Sequence, residues 1–333
     1  MPPDIQHRTR WLKEAAIRHG FMGVGVSRAE HMDVEAQRLE DWLGKGHHGE
    51  MGYMANHFEM RTDPTKLMPG AKSVISLMYN YFPKAKAEAK AKEGEPPPPF
   101  RERRSSAEAL EGVGGWRISK YAYGEDYHQV VRRKLKALLH EMKTEFGDIH
   151  GRVFVDSAPV MERDWAKRSG LGWIGRNTLL IDPKRGSYFF LAEIILDVEF
   201  EYDHPIRDHC GTCTRCIDAC PTDAISAEGY VLDGSKCISY LTIELRSAIP
   251  EEFKGKMEDW IFGCDICQEV CPWNRFSSKH EEPAFEMKEE VSGMTNADWK
   301  EMTEEVFENV FSKSAIKRAG WKGIQRNIEF VKK

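Results

Sequence analysis

Every one of the eight cysteines lies between positions 210 and 271. The first group reads Cys210-x2-Cys213-x2-Cys216-x3-Cys220-Pro221. This is the bacterial ferredoxin run, in which three thiolates take corners of one iron–sulfur cubane and the fourth cysteine turns away to another. Cys237, Cys264, Cys267 and Cys271-Pro272 supply the remaining ligands. Crossed ligation then predicts one 4Fe-4S cluster on Cys210, Cys213, Cys216 and Cys271, and a second on Cys220, Cys237, Cys264 and Cys267. Two CxxC pairs alone would suit structural zinc. The third cysteine and the Cys-Pro step of the first group argue against it. No CxxCH occurs, so a c-type haem is unsupported. In a reducing compartment, clustered thiols point to metal rather than to disulfides.

The second chemical candidate is Asp156, in VDSAPVMERDWAKRSGLGWIGRNTLLI (155–181). The pattern places it at the C-terminal end of a strand, where α/β sheets hold ligands. It could equally cap the helix that follows. Arg163, Arg168 and Arg176 are close in sequence, as surface charge or as anion contacts. Gly170-x-Gly172-x-x-Gly175 matches a dinucleotide fingerprint, but it follows a helix and precedes a strand, the reverse of the required order. A tight turn is the better reading. There is no phosphate-binding P-loop, and Asp126-Tyr-His128-Gln-Val-Val131 lacks the glycine of a DxHxxG cobalamin motif.

The elements that must carry these residues follow from periodicity. Residues 4–19, 30–44, 126–146 and 160–169 read as helices. Residues 21–27, 73–82, 152–158, 178–182 and 187–200 read as strands. Helix–strand alternation predicts a layered α/β domain over 1–203. The charged, Pro- and Gly-rich stretch 84–115 reads as a mobile insertion, because it buries too little apolar surface to offset chain entropy. A cysteine domain follows at 204–276. A short helical segment with a basic tail occupies 277–333. Lys313, Lys317, Arg318, Lys322 and Arg326 of that tail, and the Arg132/Arg133/Lys136 face of the 126–146 helix, are candidate phosphate contacts.

The chain has 333 residues and a net charge of −5, which excludes a globally basic nucleic-acid binder. No apolar run approaches the ~18 residues of a membrane helix. With no apolar leader, the reading is a cytoplasmic protein with no membrane partner.

Together these motifs resemble the epoxyqueuosine reductases, cobalamin-dependent iron–sulfur enzymes of tRNA modification. The resemblance rests on Arg61-x-x-Pro64 with LMPGAKSVIS (67–76), KYAYGEDYH (120–128), VDSAPVMER, GWIGRN (172–177), CISYLT (237–242) and FGCDICQEVCPWN (262–274). It implies an α/β cobalamin domain like those of reductive dehalogenases and flavin nitroreductases, a ferredoxin-like domain with two 4Fe-4S clusters, and a helical C-terminus. It implies reduction of epoxyqueuosine to queuosine at the wobble position of tRNAs for Asp, Asn, His and Tyr, read through the anticodon loop. An external low-potential donor and a monomeric enzyme belong to the same expectation.

By the same resemblance Asp156 is the proton donor, with a raised pKa that keeps it protonated beside the cofactor. The matching motifs make Arg61, Tyr121, Asp156, Arg176, Asn177, Ser239 and Asp265 candidate cobalamin contacts. The competing readings are a dehalogenase-like enzyme for a small molecule and a two-cluster electron carrier.

Overall fold

The computed structural model describes residues 4–84 and 115–332. The insertion read at 84–115 therefore falls almost wholly outside the described residues.

The chain opens with α1 (Ile5–Arg18), whose first turn is capped by Asp4 accepting from the His7 amide. It buries Leu12, Ala15 and Ala16. Gly20, at φ +88°, turns the chain into β1 (Gly23–Arg28). Then come α2 (Asp33–Gly44), the short α3 (Phe58–Thr62) and α4 (Pro64–Leu67), and β2 (Ser73–Asn80). After the two-residue β3 (Arg117–Ile118), α5 (Tyr127–Phe146) leads to β4 (Gly151–Phe154) and α6 (Glu162–Arg168). The hairpin of β5 (Trp173–Ile174) and β6 (Leu180–Ile181) precedes β7 (Phe189–Leu196).

Four strands form one sheet in the order β1-β2-β7-β4, and every pairing is antiparallel. Side chains alternate between its faces with a period of two. Ile75, Leu77, Ile194 and Leu196 meet Leu12 of α1 and Leu135 and Leu138 of α5. Val74, Ile195 and Phe154 meet Trp165 of α6. The result is the expected layering of helices on a sheet. Alternation of helices and strands did not decide strand direction, so the parallel-sheet argument for placing Asp156 does not apply.

The cysteine region holds short elements: α7 (Arg215–Asp218), α8 (Ile238–Ile243), β8 (Trp260–Phe262) and α9 (Ile266–Glu269). Strand β8 pairs in parallel with β3, 143 residues earlier at Arg117↔Trp260. The chain ends with α10 (Glu289–Ser292), α11 (Asn296–Glu301), α12 (Glu304–Val310) and α13 (Gly320–Val331). Ile324 and Ile328 of α13 share one core with Leu241, Ile261, Phe262, Trp299 and Phe307. Asn327 is fully buried there, and its amide donates to the carbonyls of Thr242 and Ile261 at 2.8 and 2.9 Å. Such full satisfaction is what a buried amide needs. No helix among the described residues is long and apolar enough to cross a membrane.

Candidate active site

Strand β4 ends at Phe154, and Asp156 sits just beyond it in a turn rather than in the strand. Its φ is +54°, in the left-handed region that few residues other than Gly, Asn and Asp enter. The turn is held from within, because the Asp156 amide donates to Glu162 Oε1 at 2.5 Å. The helix-cap alternative fails: α6 begins six residues later, and the residue at its N-cap is Met161.

The first turn of α5 supplies the partners of Asp156. Asp126 caps that helix by accepting from the His128 amide, and its carboxylate also lies 2.7 Å from His128 Nδ1. The other ring nitrogen, Nε2, lies 2.9 Å from Asp156 Oδ2. Tyr127 stacks flat on Phe190, with ring centroids 4.1 Å apart and planes 3° apart. Its hydroxyl donates to the same Asp156 oxygen at 2.8 Å.

This arrangement sets the charges. Burial disfavours ionisation of Asp156, but the hydrogen bonds from His128 and Tyr127 outweigh it and hold the carboxyl below its ordinary range. Burial likewise opposes the charge on His128, yet Asp126 and Asp156 push its pKa up to about 9. A ring that donates from both nitrogens to two carboxylates is an imidazolium. The expectation that Asp156 itself keeps the proton is thus overturned. At neutral pH the proton is on His128, one hydrogen bond away. The Asp156 side chain remains 57% exposed to the cleft it lines, so an incoming group can reach it.

That cleft encloses about 410 Å³ and opens to solvent. This falls within the ~300–1,000 Å³ of ordinary ligand pockets. Phe189, Phe190 and Ile238 give it apolar walls, and Thr178, Ser187 and Ser239 give polar points. Cys220, Cys237, Cys264 and Cys267 open onto the same cleft. Cys210, Cys213, Cys216 and Cys271 line a second, smaller cavity of about 30 Å³ with Arg176, Arg215 and Trp273. The structure therefore gathers the thiols into the two sets that the spacing gives. Trp173 Nε1 donates to Cys210 Sγ at 3.4 Å. Burial, then the charges of Cys271 and Cys210, pushes the Cys216 thiol up to about 11. Cys267 is near enough to Cys216 to feel its charge, so the two thiol sets adjoin.

The other candidate contacts divide. Tyr121 and Ser239 line the large cleft, and Asn177 lines both cavities. Arg176 is at the smaller thiol cavity, where it donates to the Gly211 carbonyl at 2.9 Å. Arg61 lines neither cavity; it donates to the Tyr53 carbonyl at 3.2 Å. Asp265 is 1% exposed and turned inward, accepting from Ser119 Oγ and from the amide and Nζ of Lys120. Its place in a cysteine motif reflects packing, since it anchors the loop before α9. Arg163 donates to the Thr178 carbonyl, and Arg168 pairs with Glu30 and Glu35. Tyr127 and Glu162 carried no role in the sequence reading. Tyr127, in the first turn of α5, has the type of an apolar helix face, and Glu162, beside Arg163 in VDSAPVMER, has the type of surface charge.

Three of the five candidate tail charges are engaged, while Lys313 and Lys322 are exposed. Arg318 forms a two-pronged pair with Glu244 at 2.5 and 2.8 Å, and Lys317 pairs with Glu308. Arg326 donates to the carbonyls of Leu241, Leu245 and Ser247. These three hold α13 and its approach to the body of the protein. Arg132, Arg133 and Lys136 are exposed on α5.

Comparison with known proteins agrees with this geometry. Residues 209–274 match the family described as 4Fe-4S double cluster binding domain. Residues 61–157 match Epoxyqueuosine reductase QueG, DUF1730. The epoxyqueuosine reductase of Cyclobacterium marinum is 54% identical over 98% of both chains. That of Escherichia coli K12 is 37% identical over 98% of this chain and 81% of its own length. Among solved structures, an epoxyqueuosine reductase with a tRNA-Tyr epoxyqueuosine-modified stem loop superposes with a TM-score of 0.84, at 31% identity over 98% of this chain and 81% of the other. The Bacillus subtilis enzyme, seen with its catalytic aspartate loop swung out of the active site, gives 0.82 at 30% identity, over 98% of this chain and 82% of its own.

Proposed function

The chain belongs to the epoxyqueuosine reductase family, and we propose that it reduces the epoxide of epoxyqueuosine at the wobble position of tRNA to give queuosine. The observation that carries this reading is one cleft lined both by Asp156, itself hydrogen-bonded to His128, and by four thiols of a cluster set. Removing an epoxide oxygen as water takes two electrons and two protons. The thiol sets fit two 4Fe-4S clusters: four sulfur donors in each, without a nitrogen or carboxylate in the set. The cleft fits cobalamin in its apolar walls and its open mouth, and Tyr121, Asn177 and Ser239 would hold that cofactor. When bound, these groups supply the electrons.

The chain's own residues supply the site and, through one relay, the first of the two protons; the second reaches the oxygen from solvent at the cleft's open mouth, as hydroxide becomes water. His128 holds a proton against Asp156 Oδ2, Tyr127 fixes that oxygen, and Asp156 faces the cleft. As negative charge builds on the departing oxygen, the proton on His128 Nε2 crosses to Asp156 Oδ2, and Asp156 delivers it. Asp126 stabilises the imidazolium until that moment. Stacking of Tyr127 on Phe190 keeps the donor from swinging away.

The tRNA grip begins at the same helix. Lys136 is eight residues past His128, about 12 Å along α5 at 1.5 Å per residue. Arg132, Arg133 and Lys136 would meet the backbone of an anticodon loop whose modified base enters the cleft. The tRNAs for Asp, Asn, His and Tyr, an external low-potential donor, and a monomer working in the cytoplasm complete the reading. Anaerobic reconstitution with iron, sulfide and cobalamin, followed by mass analysis of the tRNA nucleosides, tests it. Loss of one oxygen from epoxyqueuosine supports it. A fully loaded enzyme that instead reduces a small halogenated compound and leaves tRNA untouched overturns it.

A further inference from the structure

Behind the Asp156 turn lies a carboxyl that the reaction does not use. Glu193 stands on β7, opposite Phe154 of β4 and Ser76 of β2 in the ladder. It is completely buried. Neither of its oxygens meets a hydrogen-bond donor, and even the buried hydroxyl of Ser76 is left without a partner. The polar group within reach is another carboxyl, Glu162, whose other interaction is with the Asp156 amide. Two carboxyls can hydrogen-bond only when one of them carries a proton. A fully buried, unpaired carboxylate is also too costly to persist.

We propose that Glu162 and Glu193 share a single proton and together act as the positioning device of Asp156. Glu162 clamps the Asp156 amide and so stabilises the left-handed turn. Glu193, fixed on the central sheet, prevents Glu162 from rotating away. The charged groups facing the pair are Asp156 and His128. Burial, then the charge of Asp156, pushes Glu162 up to about 8. Burial, then the charge of Glu162, likewise raises Glu193 well above the ordinary carboxylate range, as two carboxyls coupled through one proton do. Above that range the pair gains a second negative charge, its mutual bond is lost, and the turn loosens. The proposal rests on Asp156 being the group that delivers the proton.

Two variants and two readouts test it in the cofactor-loaded enzyme. Infrared spectroscopy should show the carbonyl band of a protonated carboxylic acid at neutral pH, fading as the pH rises past about 8. In Glu193→Gln the amide donates to an ionised Glu162, so the band disappears while single-turnover queuosine formation stays close to wild type. In Glu193→Val the clamp is lost. The single-turnover rate should then fall by about 10²-fold, as for a misplaced catalytic group. Stem-loop affinity and melting temperature should hold, because an apolar replacement removes a buried polar group. No band in the wild type, a band unchanged in Glu193→Gln, or a wild-type rate in Glu193→Val overturns the proposal. The infrared readout needs no turnover, so an enzyme inactive on tRNA that still shows the band contradicts the functional reading and supports the pair.

Discussion

His128 Nε2 lies 2.9 Å from Asp156 Oδ2, and the opposite edge of the same ring lies 2.7 Å from Asp126. The imidazole bridges two carboxylates, and the bridge moves the site's proton from the aspartate to the histidine. The acid of this site is therefore a pair. Its pH behaviour belongs to both members.

That pairing predicts the alkaline limb of the reaction. His128 titrates at about 9. Single-turnover rates should hold from neutral pH and fall as pH passes that value. In His128→Gln the rate should be lower by 10²-fold or more, and this limb should vanish. A limb unchanged in the variant would assign it to another group.

Stability should follow the same groups. The folded pKa of His128 is raised from 6.5, so its contribution is complete below 6.5 and is lost as pH rises through about 9. Glu162 is an acid raised from 4.5 to about 8, so its ionisation increasingly opposes folding over that interval. Both signs agree. The melting temperature should fall between pH 6.5 and 9, and less steeply in His128→Gln. A curve flat or rising there would contradict both assignments.

The cysteine sets predict an outcome that sequence distance alone would not suggest. Cys271 follows Cys267 by four residues yet lines the cavity of Cys210, Cys213 and Cys216. Cys271→Ala should damage the cluster of that first run and spare the other. Mössbauer or EPR spectra of the variant decide this. Loss of the signal belonging to Cys264 and Cys267 would reverse the pairing.

Lys120 is 5% exposed and bonds Asp265 at 3.3 Å and Glu269 at 2.5 Å. Removing one partner of a buried pair strands the others, at about 3–5 kcal/mol. Lys120→Met should lower stability by that order in chemical denaturation. A cost under ~1 kcal/mol, the range of surface pairs, would show that the network is solvated.

The basic residues separate into grips and braces. Replacing Arg132, Arg133 and Lys136 by Gln should flatten the salt dependence of stem-loop binding by roughly 0.7–0.9 in log–log slope per lost contact. Arg326→Gln should instead leave the slope alone and lower the melting temperature, since it removes bonds to three carbonyls. The opposite result in either variant would exchange the roles.

Much of this was legible in the sequence because the signal was local. The cysteine spacing encodes which thiols can share a cluster. The apolar repeat of Val131, Leu135, Leu138 and Met142 gave α5 and its buried face. What escaped depends on residues brought together across the chain. Strand direction is fixed by pairing partners, and the antiparallel sheet places Asp156 in a turn rather than at a switch point. The charge of Asp156 is set by His128, 28 residues away. Arg318 and Arg326 looked like phosphate contacts because Glu244 and the carbonyls after α8, which occupy them, are some 80 residues upstream. Asp265 looked functional because it sits between two ligands, though its side chain faces Lys120.

The central claim is that Asp156 delivers the proton to the departing epoxide oxygen. Asn has nearly the same shape, can still accept from Tyr127 and His128, and carries no acidic proton. The decisive measurement is single-turnover queuosine formation by pre-reduced Asp156→Asn enzyme with its cofactors loaded, which removes electron delivery from the rate. A fall of about 10²–10⁴-fold, the range of a general acid, with both clusters and cobalamin retained, is the predicted result. Turnover like wild type under those conditions would contradict it.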